Sequence, residues 1–93
     1  MKYRIDFTLN NKLHWPIEIE SNADYRDNNS WTEDCLDKML CSNIQSNVET
    51  EKYQDGEIIF ARDVKLSFID EENIYPFYTC KRTLQIFPRV NDK

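Results

Sequence analysis

Cys35, Cys41, Cys80 and His14 are the side chains of this 93-residue chain best suited to nucleophilic or metal-binding chemistry. A thiolate beside an imidazole is a nucleophile, and thiolates and imidazoles at short spacing hold zinc. The spacing here supports neither. Cys35 and Cys41 lie six apart, on different faces of one expected helix, and His14 is the only imidazole. His14 also falls on the expected outward face of its strand while the helix cysteines lean inward. No catalytic residue, no metal ligand and no cofactor is assigned, and buried structural thiols are the plain reading. Gly56 is the lone glycine, so no glycine-rich phosphate cradle can be written.

Charge offers more. Glu18, Glu20, Asp24, Asp27, Glu33, Asp34 and Asp37 fall within twenty residues in which Arg26 is the only base. That segment carries a net charge of -6 against -5 for the whole chain. The stretch from Pro76 to Lys93 runs the other way, with Lys81, Arg82, Arg89 and Lys93 against Asp92. Separated charge of this kind can present one strongly negative surface. It would dock on a basic groove of a protein, or imitate the phosphates of a nucleic acid before an enzyme that binds one. The bland alternative is a solvated helix start and loop.

Three weaker constellations remain. Arg62 and Arg82 come opposite each other in an expected hairpin, on an otherwise apolar face, and two guanidiniums could bind a carboxylate or phosphate. Like charges directly opposed are unfavourable, so a β-bulge that turns one arginine out, or acids that pair with both, are the competing explanations. Asp70-Glu71-Glu72-Asn73 lacks the spacing and glycine of an EF-hand loop and reads as a turn. Tyr75, Phe77, Tyr78, Lys81, Arg82, Phe87 and Arg89 could stack on single-stranded nucleic acid, but the acidic balance argues against direct nucleic-acid binding.

The elements that must position these residues follow from periodicity. Tyr3-Ile5-Phe7-Leu9 and Leu13-Trp15-Ile17-Ile19 alternate with polar residues, giving two strands joined through Asn10-Asn11-Lys12. A three-residue loop sets Leu9 on Leu13, Phe7 on Trp15, Ile5 on Ile17 and Tyr3 on Ile19. A two-residue turn would set Leu9 on Lys12 and Phe7 on His14, so the apolar pattern selects the longer loop. Pro16 points to an edge strand or a bulge. Ser30 to Glu33 fits a capping box, followed by Cys35, Leu36, Met39, Leu40 and Ile44 at helical spacing. The helix should fray near Asn47. Gln54-Asp55-Gly56 reads as a turn. Strands Glu57–Ile69 and Phe77–Phe87 then form a long hairpin, with Leu66 facing Tyr78, Val64 facing Cys80, Phe60 facing Leu84 and Ile58 facing Ile86.

The expected fold is one α+β domain over residues 1–93, a four-stranded antiparallel sheet in the order β-β-α-β-β with one amphipathic helix on its apolar face. Phe7, Trp15, Leu36, Leu40, Val64, Leu66 and Leu84 should share the core. Hydrophobic residues make up 40% and aromatics 13%, enough for a modest core without metals or disulfides. Three cysteines are an odd number, Met1 precedes a strand-like run, and no stretch approaches a membrane span. The expected setting is a reducing cytoplasm with free thiols and no membrane. The expected function is non-enzymatic: a small acidic protein that inhibits or modulates a larger protein with a basic surface. Size and composition also suit inhibitors of the phage counter-defence type, anti-CRISPR proteins among them. The alternatives are a sheet-extending assembly subunit and a small enzyme. The sequence leaves the oligomeric state open.

Overall fold

Alternation in the first eight residues after Met1 builds the centre of the sheet. The computed structural model describes residues 1–48 and 58–87. Strand β1 (Lys2–Leu9) buries Tyr3, Ile5, Phe7 and Leu9 and turns Arg4, Asp6 and Thr8 away. Short strands β2 (Lys12–Leu13) and β3 (Ile17–Glu20) run antiparallel along its outer side. Helix α1 (Glu33–Asn47) follows, then β4 (Ile59–Asp70), β5 (Asn73–Thr79) and β6 (Leu84–Ile86). The sheet runs β2-β1-β4-β5, with β3 in line with β2 against β1 and β6 in line with β5 against β4. The architecture is α+β, one helix and an antiparallel sheet of six strands. The expected count of four is coarser, because each outer strand is broken in two.

The first break lies at Pro16. Asn10 and Asn11 adopt positive φ, 47° and 70°, and close a two-residue turn with Leu9 opposite Lys12 and Thr8 opposite Leu13. The expected three-residue loop is therefore corrected next to the turn. Farther along, Ile5 pairs with Ile17 and Tyr3 with Ile19, as the apolar pattern required. Between the two registers the chain takes up one extra residue, and Pro16, with no amide donor, sits in that bulge. His14 thus faces inward, its ring stacked on Phe7 at 4.8 Å, and Trp15 leaves the core. Trp15, expected to be buried, is 85% exposed, and Leu13 is 84% exposed.

The second break follows from Asp63. Its φ of 54° makes a bulge in β4, so Ala61 and Val64 both face inward with two residues between them. Lys65 pairs with Thr79 and Leu66 with Tyr78, and Cys80 N–H donates to the Val64 carbonyl at 2.8 Å, as expected. Beyond the bulge the register moves by one. Ala61 pairs with Leu84 and Ile59 with Ile86, which corrects the expected pairing of Phe60 and Ile58. The turn proposed at Gln54-Asp55-Gly56 lies outside the described residues.

Helix α1 lays Leu36, Leu40 and Ile44 into one core with Tyr3, Ile5, Phe7, Ile59, Val64 and Leu66. Side chains of this size contribute about 1.5–3 kcal/mol each on full burial. Thr32, not Ser30, caps the helix: its Oγ1 accepts from Cys35 N–H at 3.2 Å. Ser30 instead donates to Asp27 Oδ2 at 2.9 Å, in the turn that precedes the helix. The segment between β3 and α1 is tied down by Tyr3, whose hydroxyl donates to the Ala23 carbonyl at 2.7 Å and accepts from Tyr25 N–H at 3.1 Å. Among the described residues, no helix is long and apolar enough to cross a membrane.

Candidate functional site

The seven carboxylates of the acidic segment divide by what holds them. Glu18 and Glu20 are exposed on β3, opposite Arg4 and Lys2 of β1, and Glu33 is exposed in the first turn of α1, where it suits the helix dipole. None of these three is in an ion pair among the described residues. Asp24 is held by Arg26, whose Nε lies 2.9 Å from its Oδ1. That guanidinium donates to Asp24 and lowers its carboxyl below the ordinary value. Asp27 serves the chain itself, accepting from Asn29 N–H and the Ser30 hydroxyl as an Asx turn does. Asp34 pairs with Lys38 at 3.0 Å, one helical turn on, and lies 3.6 Å from Arg82.

Asp37 departs from the expectation of an outward acid. It is 5% exposed. Its Oδ1 accepts from the Tyr78 hydroxyl at 2.6 Å, and its Oδ2 lies 3.5 Å from Arg82 Nε. Position 37 is three before Leu40 and seven before Ile44, on the stripe that packs against the sheet. Burial, then the carboxylate of Asp37, raise the Tyr78 phenol well above its ordinary value. Cys80 lies beside them, its thiol pushed up to about 11 chiefly by burial and also by Asp37. This cluster fastens the β5–β6 connection to the helix, and its bonds point inward.

The paired-arginine site does not form. The Asp63 bulge turns Arg62 out of the apolar face, where its Nη1 donates to Asn11 Oδ1 at 2.8 Å and its guanidinium lies 5.6 Å from the Phe60 ring. Arg82 sits against the helix with Asp34 and Asp37. Both competing explanations hold, one for each arginine. Asp70 to Asn73 is a two-residue turn, with Asp70 paired to Asn73 and Glu71 at φ 55°. Of the aromatics near the end, Phe77 packs edge-on against Tyr3 and Tyr78 is bonded to Asp37, while Tyr75 and Phe87 are exposed. Arg89 lies outside the described residues. The three thiols are free: Cys35 exposed, Cys41 half-buried and Cys80 buried. No group of three or more His, Cys, Asp or Glu among the described residues is placed to hold a metal.

Sequence reasoning also misplaced Leu13 and Trp15. With His14 and Pro16 they line an open depression of about 380 Å³ on the edge of the sheet. Two signals were present: Asn-Asn suits a two-residue turn with positive φ at both positions, and proline marks a bulge. Comparison of the chain with protein-family models, with curated proteins and with solved structures finds no match.

Proposed function

We propose that this chain is a small acidic, non-catalytic binding protein that inhibits or modulates a larger protein with a basic surface, such as a nucleic-acid-binding enzyme. The observation that carries the reading is the set of exposed carboxylates Glu18, Glu20 and Glu33, free of ion pairs among the described residues, on a chain of net charge -5. Asp27 is also exposed, and Asp34 contributes less because Lys38 and Arg82 lie beside it. Asp24 contributes less because Arg26 neutralises it, and Asp37 belongs to the core. Such a field attracts a basic partner and repels nucleic acid and anionic lipid. The contact is with protein alone, in the cytoplasm.

The test is capture on the immobilised protein from a cell lysate at low salt, followed by elution with a salt gradient and identification of what elutes. The reading expects basic proteins that are lost from a Glu18→Gln/Glu20→Gln/Glu33→Gln bait that stays folded. Equal capture by the two baits would contradict it.

A further inference from the structure

We infer that residues 10–16 form a strap with two registers: the open one of this structure, and a closed one in which Leu13 and Trp15 turn onto Leu9 and Phe7 while His14 turns out. The pairing of β3 points to it. Tyr3 pairs with Ile19 and Ile5 with Ile17. Continued without a break, that register sets Phe7 on Trp15 and Leu9 on Leu13. The open strap instead takes up one extra residue, stacks His14 on Phe7 and leaves Leu13 84% and Trp15 85% exposed. A one-residue slip exchanges the inward and outward sides, so closing covers both apolar side chains with the protein's own core.

Pro16 does not oppose the closed register. Met1 and Ser21 exchange both backbone bonds, at 2.8 and 3.0 Å, and His14 N–H donates to the Phe7 carbonyl at 3.2 Å. Hydrogen-bonded pairs therefore fall at the odd-numbered residues of β1. In the closed register Pro16 faces Asp6, an even position, where an amide would point away from β1. No ladder bond is lost there, and an edge strand tolerates proline. The slip is also local: Leu9 stays paired with Ala61 and Ile17 stays buried, so both ends of the strap are fixed. Glu18 and Glu20 keep their places opposite Arg4 and Lys2, so the acidic surface is common to both registers and the inference does not depend on it.

Opposed terms hold the two registers. The open turn suits Asn10 and Asn11, since asparagine tolerates the positive φ that both adopt. Phe60 N–H and Arg62 Nη1 donate to their side-chain oxygens at 2.9 and 2.8 Å. The closed turn is a three-residue loop whose last residue, Lys12, must take the left-handed region at a cost. Against that, closing removes the bulge and buries two large apolar side chains. Turn chemistry opens the strap and burial closes it. A register shift between two such states runs on the microsecond-to-millisecond scale.

The experiment is NMR relaxation dispersion on the backbone amides of Asn10 to Trp15, which detects a minor state on that scale. The wild type should show exchange at these residues. Lys12→Gly relieves the left-handed position of the closed turn and should raise the minor population about fivefold. Leu13→Lys, at a position exposed in the open register, should keep the fold and abolish the exchange, because closing would bury the charge. His14→Lys sets a charge against Phe7 in the open register only. Lys12→Gly/His14→Lys should therefore be mostly closed, with nuclear Overhauser contacts from the Trp15 indole to the Phe7 ring. Four results overturn the inference: a wild type without exchange in the strap, a minor population that Lys12→Gly leaves unchanged, exchange that persists in Leu13→Lys, or a folded Lys12→Gly/His14→Lys protein whose Trp15 stays in solvent.

Discussion

Asp37 shows how much one inward carboxylate decides. Its hydrogen bond from Tyr78 and its ion pair with Arg82 join helix to sheet beside the break between β5 and β6. Asp37→Ala removes the acceptor of a half-buried phenol and should cost about 1–3 kcal/mol, read as a lower urea midpoint. Asp37→Asn keeps an acceptor for Tyr78 and should cost less. Cys80 gives a pH dependence. Its thiol holds its proton to about 11 in the folded protein against an ordinary 9.0, first because it is buried and then because Asp37 is near. The unfolded chain therefore loses this proton first as pH rises. Stability from this group is full below about 9 and falls as pH climbs towards 11. Tyr78 shifts the same way. Urea midpoints from pH 8 to 10.5 should decline, and Cys80→Ala should make the decline shallower.

At the scale of elements, the helix phase, β1 and the part of β4 from Val64 onward were readable because periodicity reports them directly. Leu36, Leu40, Val64, Leu66 and Leu84 are buried as the pattern required. Leu40, fully buried, should cost about 2–5 kcal/mol when cut to Ala, measured by thermal or urea unfolding. The outer strands were not readable in the same way. Pattern matching assumes one constant register, whereas Pro16 and Asp63 each shift it by one residue and so exchange inward and outward sides. Asp37 was misplaced for a different reason: its type suggested solvent while its position shared the stripe of Leu40 and Ile44. The bulge at Asp63 can be tested alone. Asp63→Val places a β-branched residue at positive φ and should cost about 1–2 kcal/mol although the side chain is exposed. An exposed substitution without backbone strain stays within about 0.5 kcal/mol. Proline in each outer strand line, Pro16 at the β2–β3 break and Pro76 within β5, also weighs against a sheet that extends from copy to copy.

For the whole molecule, a simple count of acids overstates the binding surface. Asp37 is internal, Asp24 and Asp34 have bases beside them, and Asp27 shapes a turn. Replacing Asp37 along with the exposed acids would confuse stability with binding, so the variant to use is Glu18→Gln/Glu20→Gln/Glu33→Gln. Its folding stability should stay within about 1–2 kcal/mol of the wild type, since Glu33 loses a favourable helix-end position and Glu18 and Glu20 lose the exposed bases opposite them on β1. The most direct measurement is the association rate constant with the purified captured partner across a series of salt concentrations. The account predicts a wild-type rate that falls steeply with salt, as surface fields become screened beyond about 8 Å near physiological ionic strength. It predicts a triple variant that associates more slowly and responds less to salt, with little change in dissociation. A folded triple variant with the wild-type rate and the wild-type salt dependence would contradict it.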